Sequence, residues 1–145
     1  MQHVMYHNII MAKKPLCFVV QKHDATTLHY DFRLEINGVL KSWAIPKGPS
    51  TDPSNKRLAI PTPDHALEYK DFAGVIPEGQ YGAGKVTIWD KGTYANIRDD
   101  VSMSKSYQEG KIKIHLDGKK LKGNYSLIRM KGKDKPWLLI KMRSP

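Results

Sequence analysis

Between Leu28 and Ile36 the chain reads Leu-His-Tyr-Asp-Phe-Arg-Leu-Glu-Ile, an alternation of apolar and chemically active side chains. Successive side chains on a β-strand point to opposite faces, so His29, Asp31, Arg33 and Glu35 share one face and Tyr30, Phe32, Leu34 and Ile36 the other. His23 lies upstream of Asp24-Ala25-Thr26-Thr27, a turn short enough to fold it back onto the polar face. Most amphipathic strands simply wet that face. Solvent faces favour Lys, Thr and Glu, however, whereas this one carries two metal-ligand types followed by a phosphate-binding type. Two imidazoles and a carboxylate form the set used in sites that leave coordination positions open. With no thiolate among them they suit Mn²⁺, Fe²⁺ or Zn²⁺ better than Ca²⁺ or Mg²⁺. Arg33 could hold a phosphate through paired N–H groups. A metal beside an arginine fits a phosphate ester, and the polar face then has to open on a cleft.

The elements that must hold these groups are strands. Leu28–Ile36 and Val39–Pro46 flank Asn37-Gly38, the strongest short-range hairpin signal, because both central residues of a type I′ turn need positive φ. Cys17–Lys22, Arg57–Thr62, Lys85–Trp89, Lys111–Leu116, Asn124–Met130 and Trp137–Met142 are further β-branched or aromatic runs. Between them fall breaks at Pro46–Pro53, Gly74–Gly84, Asp117-Gly118 and Lys131–Pro136. Only His65–Phe72 and Ser102–Glu109 have room for a turn or two of helix. About eight strands with one or two short helices read as a mainly β fold, a barrel or a sandwich. Residues 1–14 show no period and read as a loosely ordered tail; residues 15–145 read as one domain.

Composition narrows the function. The 145 residues carry 24 Lys plus Arg against 14 Asp plus Glu, a net charge of +10 that points to a polyanionic partner. Cys17 is the lone cysteine, which excludes an internal disulfide and a cysteine-rich zinc module. No apolar run approaches the ~20 residues of a membrane span. No signal-peptide pattern opens the chain, so a cytoplasmic, monomeric protein is expected.

Longer stretches carry a family resemblance. Phe18-Val-Val-Gln-Lys-His-Asp-Ala, Leu28-His-Tyr-Asp-Phe-Arg-Leu-Glu and Gly38-Val-Leu-Lys-Ser-Trp-Ala-Ile-Pro-Lys-Gly-Pro-Ser50 are similar to the 3′-phosphoesterase domain of bacterial DNA ligase D. The likeness continues through Arg57-Leu-Ala-Ile, Asp64-His-Ala-Leu-Glu-Tyr69, Gly74-Val-Ile-Pro-Glu-Gly-Gln-Tyr-Gly-Ala-Gly-Lys85, Trp89-Asp and Gly92-Thr-Tyr94. The resemblance implies a compact β-barrel with a polar active-site cavity on one side. It implies a Mn²⁺-dependent enzyme, with Zn²⁺ or Co²⁺ as other candidate ions, that trims DNA 3′ ends during end joining. Such an enzyme removes a terminal ribonucleoside and then the 3′-phosphate, leaving a 3′-OH. Carried over by motif, His23, His29 and Asp31 would bind the metal. Arg33, His65 and Tyr69 would engage the scissile phosphate, Gln21 would belong to the same pocket, and Lys47 and Arg57 would hold further phosphate charge. Implied partners are DNA or DNA/RNA 3′ ends at primer–template junctions, a separate ligase or polymerase, and Ku-like end-joining factors.

Two departures bear on ribonucleoside removal more than on phosphate removal. Residues 1–14 contain no Arg, Asp or Glu, and Pro63 stands where the family pattern leads one to expect a glutamate. Ligase and polymerase segments are absent from the chain, which is expected to be a free-standing version. The rival reading is a weakly active or inactive module that binds nucleic-acid ends for a separate ligase; a metal-free nuclease using two histidines is a third.

Other features read as ordinary structure. Gly79-Gln-Tyr-Gly-Ala-Gly84-Lys85 mimics a P-loop, but Val86 replaces the required Ser or Thr and a strand follows instead of a helix. Its glycines suit a tight turn. His115 alternates outward, and Lys119, Lys120, Lys122, Lys131, Lys133 and Lys135 are solvated charge able to steer DNA in a salt-dependent way.

Overall fold

The structure is a computed structural model that describes residues 14–132 and 135–144. The expected tail, apart from Lys14, lies outside the described residues, as does Lys133. Nine strands follow in chain order: β1 (Leu16–Asp24), β2 (Leu28–Ile36), β3 (Val39–Ile45), β4 (Arg57–Ala66), β5 (Gly74–Ile76), β6 (Gly84–Asn96), β7 (Lys111–Asp117), β8 (Lys122–Arg129) and β9 (Trp137–Lys141). A 3₁₀ turn at Leu67–Asp71 and helix α1 (Met103–Glu109) complete the described elements. The strands pair in the order β1-β2-β3-β4-β9-β8-β7-β6, and β6 returns to β1, closing an antiparallel barrel of eight strands. Closure gives every barrel strand a paired neighbour on each side. The short β5 adds to β6 outside the ring.

The hairpin signal at Asn37-Gly38 holds, with φ of 54° and 80°. A two-residue turn there fixes the β2–β3 register, pairing Phe32 with Trp43 and Arg33 with Ser42. Register in turn decides the faces. Phe18 and Val20 of β1, Phe32, Leu34 and Ile36 of β2, and Trp43 and Ile45 of β3 join Ile112, Ile114, Leu116, Tyr125, Leu127, Trp137 and Leu139 in one buried cluster, the barrel interior. Each such large apolar side chain contributes roughly 1.5–3 kcal/mol by leaving water. α1 closes one end: Ser102 caps it by accepting from Lys105 N, Gly110 ends it in the left-handed region, and Tyr107 packs on Trp43 and Trp137.

Three elements differ from the sequence expectation. β4 runs past Thr62 to Ala66 despite Pro61 and Pro63, because β9 pairs only with Arg57–Ala59 and the later residues form an edge where a missing N–H is tolerated. β6 runs from Gly84 past the expected end at Trp89 to Asn96, through Asp90-Lys91-Gly92. The 65–72 segment is not a helical turn from its start: His65 and Ala66 end β4, and only Leu67–Asp71 wind, as 3₁₀.

Candidate metal and phosphate site

The polar face of β2 lies on the outside of the barrel and is nevertheless buried. Asp31 is 6% exposed and Arg33 4%. Their cross-strand neighbours on β1 are Gln21 and Val19, and His23 pairs directly with His29 across the hairpin. The roof over this face is the 3₁₀ turn and the loop that follows it. Gln21 Nε2 donates to the carbonyls of Tyr69 (2.8 Å) and Phe72 (3.2 Å), which ties the roof to the sheet. Between roof and sheet opens a cavity of about 440 Å³, lined by His23, His29, Asp31, Arg33, His65 and Tyr69 with Thr62, Ile76, Tyr81 and Gly82.

His23, His29 and Asp31 come together as the sequence predicted. One ligand atom from each lies within 4.8 Å of the others. His23 Nδ1 is 3.4 Å from Asp31 Oδ2, and His29 Nε2 is 3.3 Å from Asp31 Oδ1. The opposite ring nitrogens meet carbonyls: His23 Nε2 donates to Gly82 O at 2.8 Å and His29 Nδ1 to Thr27 O at 3.1 Å. A carbonyl only accepts, so in the neutral tautomer that a metal ligand requires each contact puts the proton on that nitrogen and the lone pair on the one that faces Asp31. Two aimed lone pairs and one carboxylate could hold a metal, and they fit a divalent transition ion.

Arg33 extends the site. Its Nε donates to Gln21 Oε1 (2.6 Å), its Nη1 to Ser42 Oγ (2.8 Å) and to His65 Nδ1 (3.1 Å), and its Nη2 lies 3.5 Å from Asp31 Oδ2. The guanidinium also sits 5.0 Å from the centre of the Tyr69 ring. Burial lowers its pKa and the charge of Asp31 opposes that; arginine stays charged here as elsewhere. An Nη2 proton is left to offer to an oxyanion in the cavity.

His65 and Tyr69 stack with ring centres 4.4 Å apart, brought together by the corner between β4 and the 3₁₀ turn. His65 Nδ1 also lies 3.1 Å from Pro63 O, a contact that needs the opposite tautomer from the Arg33 bond. The charge-assisted bond from Arg33 is the stronger, and a guanidinium has no accepting state, so Nδ1 accepts and Nε2 carries the proton. Burial, then the charge of Arg33, pushes the His65 pKa below its ordinary value and keeps the ring neutral. Burial likewise raises the Tyr69 hydroxyl.

Lys47 and Arg57 are not among the residues lining the cavity. Lys47 is exposed after β3, and Arg57 opens β4 with its Nε buried and unpaired. The sequence reading missed Ser42, Thr62, Tyr81 and the Gly82 carbonyl. Ser42 was readable, since the two-residue turn at 37–38 puts it opposite Arg33. Gly82 was not, because nothing in a glycine marks which side chain its carbonyl will meet. His115 is exposed, as expected, with its Nδ1 2.7 Å from Asn124 Oδ1, and Gly84 leads into strand β6, so the P-loop reading fails in the structure too.

Fold and site together define a closed antiparallel barrel that carries a two-histidine, one-carboxylate cluster beside an arginine on its outer wall. The chain belongs to the DNA ligase D 3′-phosphoesterase domain family, whose pattern matches residues 21–129. It is 50% identical over 130 residues to the multifunctional non-homologous end joining protein LigD of Pseudomonas aeruginosa, covering 88% of this chain and 15% of that protein. It is 47% identical over 127 residues to the multifunctional non-homologous end joining DNA repair protein LigD of Mycobacterium tuberculosis, covering 88% of this chain and 16% of that one. The counterpart from Mycolicibacterium smegmatis is 44% identical over 129 residues, 87% of this chain and 17% of its own length. The chain thus spans less than a fifth of the length of these relatives. Among the described residues no helix is long and apolar enough to cross a membrane.

Proposed function

We propose that the protein is a divalent-metal-dependent phosphoesterase that removes 3′-phosphates from DNA or DNA/RNA ends, leaving 3′-OH termini for a ligase or polymerase. The observation that carries this is the pair of imidazole lone pairs, each pinned by a carbonyl, converging on Asp31 beside the buried Arg33. In this reading His23 Nδ1, His29 Nε2 and the Asp31 carboxylate hold the ion, with Mn²⁺ as the first candidate and Zn²⁺ or Co²⁺ as others. The chemistry such an ion supplies is Lewis-acid polarisation of a phosphoryl oxygen.

The chain's own groups do the rest. Arg33 neutralises charge on the phosphoryl oxygens and is pre-positioned by Gln21 and Ser42, so no reorganisation is needed as charge develops. His65, neutral and with its proton on Nε2, donates to a phosphate or leaving-group oxygen. Tyr69 buttresses both, stacking on His65 and lying beneath the guanidinium. Lys47 and the exposed lysines track the rest of the strand as solvated charge, and the half-buried Arg57 adds a further positive charge on β4.

Asp31 is the one carboxylate among the described residues lining the cavity. Pro63 supplies no second one, which favours the phosphomonoester step over ribonucleoside removal. The test uses a duplex with a recessed 3′ strand ending either in 3′-phosphate or in one ribonucleotide, incubated with metal-stripped protein with and without Mn²⁺. The expected result is metal-dependent loss of the phosphate with little change to the ribonucleotide. His29→Ala is expected to lose Mn²⁺ binding and turnover while melting as the parent does. Failure to convert either substrate under any divalent ion would leave an end-binding module as the better account.

A further inference from the structure

The glycine-rich loop before β6 does more than turn the chain. Its Gly82 has φ of 77°, and a Cβ there would stand 3.7 Å from the His23 ring and from Ile76. Its carbonyl holds His23 Nε2, so the loop is pinned to a proposed metal ligand. Two backbone bonds, Gln80 N to Pro77 O and Ala83 N to Gln80 O, make it a compact double turn. The residue before Gly82 is Tyr81, which lines the cavity and yet is 80% exposed. Nearby on β5, Val75 is 72% exposed. An uncovered aromatic ring at the rim of a phosphate-binding cavity is poorly explained by packing.

The cavity lining joins the polar groups Arg33, His65 and Asp31 to Ile76, Tyr81 and Ala83, and of these six Tyr81 is the most exposed. An ester whose phosphate reaches Arg33 must leave its sugar and base towards the rim. We propose that Tyr81 is a substrate-positioning platform on which the 3′-terminal nucleobase stacks, placed relative to the metal ligands by the Gly82–His23 bond. Stacking on an aromatic ring accepts any base, since every base has a π-face. The platform therefore gives recognition of a nucleotide end without sequence preference. This rests on the phosphoesterase reading and adds the group that would see the base.

The test compares parent, Tyr81→Ala and Tyr81→Phe on two duplexes with a 3′-phosphate, one ending in a normal nucleotide and one in an abasic sugar. The parent is expected to show a KM lower by roughly 10- to 100-fold for the normal end, the range of one base–aromatic stack. Tyr81→Ala loses that discrimination through KM with kcat little changed, and Tyr81→Phe restores it. A second readout needs no turnover: 2-aminopurine as the terminal base, on a duplex added to metal-stripped protein, is quenched by the parent and by Tyr81→Phe but not by Tyr81→Ala. Equal KM ratios and equal quenching in parent and Tyr81→Ala would overturn the platform. Quenching that depends on Tyr81 in a protein with no activity would sustain the platform and overturn the phosphoesterase reading instead.

Discussion

Asp31 and Asp90 are both buried carboxylates, 6% and 3% exposed, on strands that pair with β1. Their surroundings are opposite. Asp90 accepts four main-chain N–H groups: Lys91 (2.9 Å) and Lys119 (2.8 Å) on one oxygen, Lys120 (3.2 Å) and Leu121 (2.8 Å) on the other. It ties β6 to the β7–β8 turn and has nothing left to give. Asp31 meets only side chains, at 3.3–3.5 Å, each longer than a good charge-assisted hydrogen bond. Its neighbours are two imidazoles and a guanidinium, and they line a cavity. A buried carboxylate held tightly by backbone is committed to the fold; one loosely ringed by side chains keeps lone pairs that the fold does not use.

The largest effects should separate the two. Asp90→Asn turns an amide NH₂ against backbone N–H donors and leaves buried groups unpaired. A loss of about 3 kcal/mol or more is expected, read as a fall of roughly 10 °C in melting temperature for a domain of this size. Turnover per folded molecule should survive. Asp31→Asn should do the reverse, abolishing Mn²⁺ binding by calorimetry and turnover on a 3′-phosphate end while shifting metal-free stability by only about 1 kcal/mol. Equal destabilisation by both changes would erase the contrast.

Arg33 belongs to both categories, which makes its conservative replacement informative. It is packed like Asp90, with bonds to Gln21, Ser42 and His65, yet it lines the cavity with Asp31. A lysine ammonium carries its three donors on one atom and cannot reproduce the planar fork that reaches Gln21, Ser42 and His65 together. Arg33→Lys is expected to cost about 2 kcal/mol of stability and to lower kcat by roughly 100-fold. Loss of activity with unchanged urea unfolding would place Arg33 wholly on the chemical side.

The same contrast explains what the sequence disclosed. Asp31 stood out because alternation on β2 isolates polar groups of unusual type on one face, and a two-residue hairpin fixes their register. The eight barrel strands were visible for the same reason, as runs bounded by Pro, Gly and Asp. Asp90 was hidden: Asp90-Lys91-Gly92 has turn composition, and only the fold shows that Gly92 pairs with Phe18 inside β6, where a Cβ would collide with the Asp117 carbonyl oxygen. β5 was too short to carry a period. The 3₁₀ roof lies inside His65–Phe72, a stretch with room for a turn of helix; His65 and Tyr69, four apart, do meet, though around a corner rather than along a helical face. Partners that are backbone atoms, such as the Gly82 carbonyl, leave no mark on composition at all.

The smallest expected effect concerns charge in the Asp31 region. Four dipolar N–H groups surround Asp90, whereas the single carboxylate of Asp31 shares its space with the full charge of Arg33. His65 registers the result: burial first, and the Arg33 charge second, lower its pKa, against the opposing pull of Pro63 O, Asp31 and Asp64. In the unfolded chain His65 takes up its proton at the ordinary histidine value of 6.5; folded, it does so only at lower pH. Below the ordinary value the unfolded state therefore binds more protons, and stability falls as pH drops through that window. Above it neither state holds the proton and the contribution is complete. Urea unfolding of metal-free protein between about pH 7.5 and 5 should thus show a slope that His65→Gln makes shallower, by less than the ~1.4 kcal/mol per pH unit of one full proton. An unchanged slope would mean that His65 protonates as freely folded as unfolded. Neither burial nor the guanidinium charge would then outweigh the opposing pull of Asp31 and Asp64 on the His65 ring.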